Sequence, residues 1–533
     1  MRKLSNLGLI VVVGLCVSSA RAGDPCCSGS LSGIWPAGAV VHVTGPSYIP
    51  AGKSLTVQEG VQIYFDTVDS LVVLGGLTIE GTADQPVVIS VPNDWWGLSF
   101  HADGYEIRSL HYVVMDGQSG MPWRIITADD ALLNIEHCKF TARLSCLRMS
   151  GGRLWASNNT FATNQIYSCP VYLSHLDNDI DGPCDNPVGN HLSETIVEVI
   201  VSHNEIPRPT DEFTSGLWLE GTTNICLHGD AVTVDAPGTV VGAYFGSLPT
   251  YNSTPWTLQF CVITVTSYRG SANGVINANE GALRMLRCTV DVAREPYNSS
   301  LMPSGVVASH DANVWVNSTY VQLDVGGYFF VGMSGGQLTV DHLFAWRSSE
   351  MGGGSNHLPD GSTIGDVRVG GHVAYENPQF NLHGDRGKWN NLQDVFDYYS
   401  LRSTSPCIDA GDPEIGNDPD NTLPDVGRYF YDQGATVGDV PSLLPNTIVL
   451  APPYPNPFNA VAVIPFELGK TADVRLTVYD ALGRAVQTLA AGRFSLGSHI
   501  VRFSGENLSS GTYYITLQAD GKAVAARAVT LLK

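Results

Sequence analysis

Basic residues are scarce in this 533-residue chain, where 29 lysines and arginines stand against 51 aspartates and glutamates. That balance argues against nucleic acid or an anionic membrane as a partner, because both attract cationic proteins. Beyond residue 22 no stretch approaches the roughly 18–20 apolar residues that span a bilayer, so we expect no membrane span in the mature chain. CxxC pairs and HExxH spacings are also missing, which gives no support to a zinc finger or a zinc protease.

The first 22 residues have the features of an export signal. They combine a basic start, an apolar run, and Ala20 and Ala22 at the spacing that signal peptidase reads. We expect residues 1–22 to be removed, which leaves ten cysteines in an exported chain. An even number of cysteines permits disulfides outside the cytoplasm. We predict one or two bridges, with Cys169–Cys184 as the best local candidate.

Short strand patterns recur along most of the chain, among them "LNIEHCKF", "LWASNNTF", "LRMLRCTV" and "VWVNSTYV". Each alternates apolar and polar residues over a few positions, which is typical of a half-buried strand. One polar or small residue recurs near the end of these patterns, with a spacing near 26 residues: Cys138, Asn159, Asn204, Asp230, Cys261, Cys288, Ser318 and His342. A repeat of this length without helices predicts a solenoid of parallel strands, in which this recurring position forms a structural stack.

Three segments resemble the opening coils of right-handed parallel β-helix proteins of the pectate-lyase-like superfamily: "GVQIYFDTVDSLVVLGGLTIEGTADQPVVI", "WWGLSF" and "LHYVVMDG". The resemblance covers roughly residues 33–430 and implies an all-β, right-handed parallel β-helix with terminal caps over residues 23–432. The later segments "NPQF", "DYYSLRSTSPCIDAGDP" and "DPDNTLPDVGRYFYDQ" are similar to the segment that closes such helices. We expect that segment to act as a cap, because bare strand edges pair with other chains.

The composition changes near residue 446. From there to residue 533 the chain has eight basic and five acidic residues and no cysteine, against 18 and 46 in the rest of the mature chain. The prolines of "PPYPNP" hold a linker extended, so we place a linker at residues 433–453. Short strand-like runs with turn signals then predict a small immunoglobulin-like β-sandwich over residues 454–533.

This C-terminal region resembles the type A C-terminal sorting domain of the type IX secretion system. The matching segments are "YPNPFN", "VYDALGR", "LSSGTYYITL" and the closing "LLK", and the sorting motif falls on Tyr454, Pro455, Asn456 and Pro457. The resemblance implies that the type IX machinery exports the protein across the outer membrane. The mature protein is then expected in the medium or attached to the outer cell surface.

Two acidic segments are candidate calcium sites. Asp177, Asp179 and Asp181 precede Gly182 with the D-x-D-x-D-G spacing of a calcium loop, although Val188 stands where such a loop has its bidentate acid. The alternative is a solvated acidic loop. The second segment carries Asp409, Asp412, Asp418, Asp420 and Asp425, which calcium could bridge but which are also common turn residues.

Asp129 and Asp130 are weak candidates for catalytic carboxylates. Together with "HG" at 228–229 they resemble elements of polygalacturonases, but the accompanying "NTD" and "RIK" elements are missing. Trp95, Trp96 and Trp123 could stack on sugar rings, or pack beneath turns as in similar β-helices. The sequence therefore favours a surface-binding or adhesion module for an extracellular glycan over an enzyme. A polysaccharide lyase or glycoside hydrolase on the same scaffold, and a purely structural surface scaffold, remain alternatives.

Overall fold

The computed structural model describes residues 26–101, 107–115, 120–176, 190–201, 214–220, 225–246, 256–268, 270–278, 281–294, 303–324, 326–347, 358, 361, 363–433, 448–450, 461–468, 472–480, 484–494, 497–505, 508–519 and 521–531. Within these ranges the chain is nearly all β-strand, with one α-helix at Leu392–Tyr399 and one 3-10 turn at Pro413–Ile415. No helix of the described part is long and apolar enough to cross a membrane.

The first unit is a solenoid whose coils each add one strand to three parallel faces. The first face has thirteen strands: Gly33–Trp35, Ser54–Val57, Gly76–Glu80, Ile107–His111, Leu132–Glu136, Arg153–Ser157, Asn190–Ser193, Ile225–His228, Trp256–Gln259, Ala282–Leu286, Asn313–Asn317, Gln337–Asp341 and Asp366–Val369.

The strands of the second face follow those of the first in each coil. They are Val40–Ile49, Gln62–Phe65, Val87–Ser90, Val113–Met115, Lys139–Ala142, Thr160–Thr163, Ile196–Ile200, Ala231–Ala236, Val262–Ser267, Thr289–Arg294, Tyr320–Leu323, Leu343–Arg347 and Val373–Tyr375. The end of Val40–Ile49 also begins the third face by pairing with Leu71–Val73.

The third face completes each coil. Its strands are Cys26–Ser30, Leu71–Val73, Leu98–His101, Arg124–Asp129, Ser145–Ser150, Val171–Ser174, Thr214–Glu220, Val240–Gly246, Ala272–Ala278, Ser304–Ser309, Tyr328–Met333 and Thr363–Ile364. Every pairing within the three faces is parallel and follows the chain order, which confirms the predicted right-handed parallel β-helix.

Apolar side chains fill the solenoid because the alternation within each strand repeats from coil to coil. One inward row on the third face shows the pattern, and each of its members is at most 1% exposed: Val73, Phe100, Ala128, Met149, Leu173, Leu219 and Phe245. Stacking at about 4.8 Å turns such rows into a continuous core that no single coil could bury.

The turn from the first to the second face is the same in most coils. Its first residue adopts a left-handed conformation, as His137 and Asn158 do. The next residue is the recurring polar position, where the Asn159 side chain accepts from the Cys138 N–H at 2.9 Å and donates to the Ile135 carbonyl at 2.9 Å. The predicted structural stack is therefore present.

Its membership differs from the prediction at three places. Thr195 belongs to it, and Asp230 accepts from the Thr195 N–H at 3.0 Å. Asn204 lies outside the described residues. Ser318 and His342 occupy the left-handed position that precedes the stack. The prediction assumed a nearly constant repeat length. The coils differ in length, so it assigned some stack positions to the wrong residues.

Cysteines do not follow the predicted pairing. Cys169 is a free thiol that donates to the Val171 carbonyl at 3.1 Å, so the predicted Cys169–Cys184 bridge is wrong. Cys226 is disulfide-bonded. Burial raises the pKa of the Cys138 thiol to about 12, which makes it an inert packed group.

The closing segment, residues 377–433, packs along the second face, and its predicted role as a cap stays a prediction. The Trp389 Nε1–H donates to Thr233 Oγ1 at 2.9 Å, and the Gly427 N–H donates to the Ser318 carbonyl at 2.8 Å. The second face carries outward apolar residues that need such a cover, and these form one buried cluster with the closing segment: Ile196, Ala231, Val262, Tyr320 and Phe344.

The second unit is a β-sandwich. Three antiparallel strands, Ile448–Leu450, Val461–Leu468 and Gly497–Ser504, form one sheet. Four more, Ala472–Tyr479, Ala485–Phe494, Gly511–Ala519 and Lys522–Leu531, form the other, and both contribute to one apolar core. The predicted sandwich is confirmed. Leu450 pairs with Phe466, so the sandwich includes residues from the stretch predicted as linker.

Gly242 marks a point where the third face approaches the second closely. A Cβ there would clash with Ile263 Cγ2 and stand 2.6 Å from the Gly274 carbonyl oxygen. We expect Gly242→Ala to destabilise the solenoid by about 1–3 kcal/mol, as overpacking does. Urea unfolding followed by tryptophan fluorescence measures this. Gly45→Ala, whose Cβ would be in ordinary contact at 3.5 Å from Ser28 Cβ, is the control, and an equal loss in both would contradict the account.

Candidate functional site

Four consecutive coils place Arg148, Tyr172, Trp218 and Tyr244 side by side on the outward side of the third face. We call these four residues the aromatic row. Arg148 Cζ lies 4.1 Å from the centroid of the Tyr172 ring, and the Trp218 and Tyr244 centroids are 4.6 Å apart. Arg148 is exposed and the three rings are half-buried, so the row presents an aromatic surface along the solenoid axis.

The alternation of the strands puts the rings outside. Trp218 stands between buried Leu217 and Leu219, and Tyr172 stands between buried Val171 and Leu173. Because the strands pair in register, each outward position stacks directly above its counterpart at about 4.8 Å. One aromatic residue at the outward position of each strand is therefore enough to form a row of rings.

A second outward row of polar residues runs beside the rings: His101, Asp129, Ser150, Ser174 and Glu220. His101 Nδ1 lies 3.6 Å from Asp129 Oδ2. The Tyr172 hydroxyl donates to Glu220 Oε2 at 2.6 Å, which fixes the ring. Burial, followed by this carboxylate, raises the pKa of Tyr172 to about 12. The face thus offers carboxylates and hydroxyls beside its rings.

Arg124 and Arg148 bring two guanidinium groups to the same face. Burial and then the charge of Arg148 lower the pKa of Arg124. Neither arginine forms an ion pair with a carboxylate of the described part of the chain. Two neighbouring cations that have no carboxylate partner among the described residues form a local positive site on an otherwise acidic protein.

Asp129 and Asp130 take different positions. Asp129 belongs to the exposed polar row beside His101. Asp130 adopts a left-handed turn with φ of 50°, and its N–H donates to the Ser150 carbonyl at 2.8 Å. Glu220, the next carboxylate of the polar row, lies three coils from Asp129, or about 14 Å. Glycoside hydrolases place their two carboxylates about 5–9.5 Å apart, so Asp129 and Glu220 do not form such a pair.

Aspartates of the closing segment accept hydrogen bonds from backbone N–H groups of its turns. Asp425 accepts from the Asp409 N–H at 2.7 Å and the Tyr431 N–H at 2.6 Å, and Asp420 accepts from the Gln433 N–H at 2.9 Å. Asp418 pairs with Arg287, and burial raises the pKa of Asp425 to about 6.

Asp412 lies apart from the other four. It accepts from Asn317 Nδ2 at 2.7 Å. The five carboxylates therefore do not converge on one point in the described structure, and calcium binding there stays a prediction.

Two predicted sites lie outside the described residues. The calcium loop of Asp177, Asp179 and Asp181 falls within residues 177–189, and the sorting motif from Tyr454 to Pro457 falls within residues 451–460.

Of the candidate tryptophans, Trp95 is fully buried against Phe65, with ring centroids 4.7 Å apart. Trp96 is 59% exposed, and Arg143 Cζ lies 5.1 Å from the Trp123 ring. Neither belongs to the aromatic row.

Sequence reasoning missed the aromatic row because its members are unevenly spaced. Tyr172 and Trp218 are 46 positions apart, whereas Trp218 and Tyr244 are 26 apart. Their shared signal is an aromatic residue at the outward position of an otherwise apolar strand, as in "VYLS", "TSGLWLE" and "VVGAYFG".

Residues 453–530 match the family model of the secretion system C-terminal sorting domain. The chain therefore carries a type IX sorting domain, and it is an exported protein that is secreted or attached to the cell surface.

No curated protein matches the chain. Among solved structures, the crystal structure of pectate lyase Pel9A is similar over 72% of this chain and 88% of its own, at 12% sequence identity and a TM-score of 0.28. That score carries no argument about activity, and the β-helix fold rests on the strand pairing itself.

Proposed function

We propose that this exported protein binds an acidic extracellular polysaccharide along its third face and serves as an adhesion or surface-binding module. The aromatic row is the observation that carries the proposal. Three half-buried rings in register offer apolar surface that can contact the apolar faces of sugar rings. Their coil spacing of about 4.8 Å is close to the length of one sugar unit, so a chain lying along the solenoid meets a ring at each coil.

Charge favours an acidic glycan. Arg124 and Arg148 have no carboxylate partner in the described structure, and a uronate carboxylate can pair with a guanidinium bidentately. Ser150 and Asp129 beside the rings can bind sugar hydroxyls. A long face with few strong contacts per coil suits binding by many weak contacts along a polymer.

The test is retention of the full chain on immobilised polygalacturonate and alginate, with neutral dextran as the comparison. Reducing ends and ultraviolet-absorbing unsaturated products are measured in the same samples. Retention on the uronate polymers without products supports the binding module. Failure to bind any of them contradicts it and favours a structural surface scaffold.

A polysaccharide lyase is the second candidate, because Arg124 and Arg148 bring two basic groups to the third face, and such a reaction needs a basic group beside the bound uronate. In that reaction a base removes the proton on the carbon next to the uronate carboxylate, the glycosidic oxygen departs with the bond electrons and takes up a proton, and a carbon–carbon double bond forms. Unsaturated products that disappear in Arg124→Gln would establish this second candidate. The same variant retaining normal product formation would exclude Arg124 as the base.

A further inference from the structure

We propose that Asp341, His342 and His372, with Asp412 beside them, bind a divalent transition-metal ion of the zinc class. One ligand atom from each of the first three lies within 4.8 Å of the others. Asp341 and His342 end one strand of the first face and begin the turn that follows, His372 stands in the corresponding turn of the next coil, and Asp412 comes from the closing segment. The site would thus join two coils to the closing segment.

The distances suit a small ion. A tetrahedral zinc ion with bonds of about 2.0–2.2 Å holds its ligand atoms about 3.3–3.6 Å apart. His372 Nδ1 lies 3.4 Å from Asp341 Oδ1, and His342 Nδ1 lies 3.8 Å from the same oxygen. Asp412 Oδ2 is 3.9 Å from His342 Nδ1, so a small inward movement completes a set of two imidazoles and two carboxylates. Imidazole with carboxylate favours zinc-class ions over calcium.

A buried ring nitrogen points to a missing partner. His342 Nδ1 is buried and has no hydrogen-bond partner in the described structure. Buried polar atoms rarely lack a hydrogen-bond partner, and a bound ion is one way to satisfy such an atom. The two imidazole rings are stacked with centroids 4.3 Å apart. Because the His372 side chain is 68% exposed, it can tilt out of the stack and direct its nitrogen at an ion.

The surroundings hold the carboxylates in place. Asp341 Oδ1 accepts from the His342 N–H at 2.9 Å and the His372 N–H at 3.1 Å, which holds the carboxylate beside the two imidazoles. A Cβ at Gly370 would stand 2.6 Å from both Asp341 oxygens, so glycine provides the space for this group. Asn317 Nδ2 donates to Asp412 Oδ2 at 2.7 Å and orients the fourth ligand. Such outer contacts are typical of metal sites.

The test is calorimetric titration of the tag-free, metal-stripped full chain with Zn²⁺, with Ca²⁺ and Mg²⁺ as comparisons. We expect one equivalent of Zn²⁺ to bind and no comparable binding of Ca²⁺ or Mg²⁺. His372→Ala and Asp412→Asn are expected to weaken Zn²⁺ binding by at least about tenfold. Both should leave the fold intact, because His372 is exposed and the change at Asp412 is isosteric. Exposed His383→Ala and Asp409→Asn are the matched controls.

Substitution of Co²⁺ reads the coordination directly, because a tetrahedral site with nitrogen and oxygen ligands gives visible absorption bands that free Co²⁺ lacks. Loss of these bands in both ligand variants, with circular dichroism unchanged, supports the site. A native chain that binds no Zn²⁺, or one whose affinity is unchanged in the two ligand variants, overturns the proposal. None of these outcomes depends on glycan binding, so the two proposals fail or succeed separately.

Discussion

Trp218→Ala is expected to weaken retention of the full chain on an acidic polysaccharide by about tenfold or more. Trp218 is the middle ring of the aromatic row, in contact with Tyr172 on one side and Tyr244 on the other. Stacking of a nucleic-acid base on an aromatic side chain contributes about 1–3 kcal/mol, and we expect the same order for a sugar ring. A difference of about 1.4 kcal/mol corresponds to a factor of ten in affinity. Removing the ring also removes support from both neighbours. Affinity chromatography on polygalacturonate measures the loss.

Trp315→Ala is the matched control for this variant. Trp315 is also an outward tryptophan of the solenoid, 42% exposed, but it lies on the first face. We expect its removal to leave retention unchanged. Equal losses in the two variants would mean that the chain binds through general hydrophobic contact, and an unaffected Trp218→Ala would remove the aromatic row from the binding site.

Arg386→Ala is expected to release the closing segment from the second face at a cost of about 3–5 kcal/mol. The Arg386 guanidinium donates to both oxygens of Asp291, at 2.8 Å from Nε and 2.9 Å from Nη2, and to Thr266 Oγ1 at 2.7 Å. Asp291 is only 1% exposed and also accepts from the Tyr399 hydroxyl at 2.7 Å. Removing the arginine leaves that carboxylate buried without its cation, which is the costly way to break such a pair.

Hydrogen exchange of the helix Leu392–Tyr399 measures this cost, because the amides of a docked segment exchange only when it opens. Arg402→Ala is the control: Arg402 lies in the same segment and is exposed, and its side chain donates to the Asn381 carbonyl at 3.4 Å. In the Arg402→Ala variant we expect the amides of helix Leu392–Tyr399 to exchange as slowly as in the native chain. Native-like protection in Arg386→Ala would show that the apolar cluster alone holds the closing segment.

The repeat architecture was predictable because its signals are local. Alternation, Gly-containing turns and the recurring position at Cys138, Asn159, Cys261 and Cys288 can each be read from a few residues. The register between coils was not predictable, since it depends on how many residues each loop inserts. Thirty-six positions separate Asn159 from Thr195, which is longer than the assumed period and moved one member of the stack to the wrong residue.

The candidate sites depend on that register and were missed for the same reason. Tyr172, Trp218 and Tyr244 become neighbours only when three strands of unequal spacing are paired. His342 and Asp412 are separated by 70 positions and meet only because the closing segment folds back along the solenoid. That position was not predicted, since the sequence shows an apolar segment but not which surface it covers.

The most direct test of the proposed function is hydroxyl-radical footprinting of the full chain with and without soluble polygalacturonate, read by mass spectrometry. The rings of Tyr172, Trp218 and Tyr244 are expected to be protected from oxidation by the polymer, while Trp315 and Trp155 on the first face keep their reactivity. Protection of the first face instead would contradict the account. So would unchanged oxidation of the third-face rings at a polygalacturonate concentration that saturates binding.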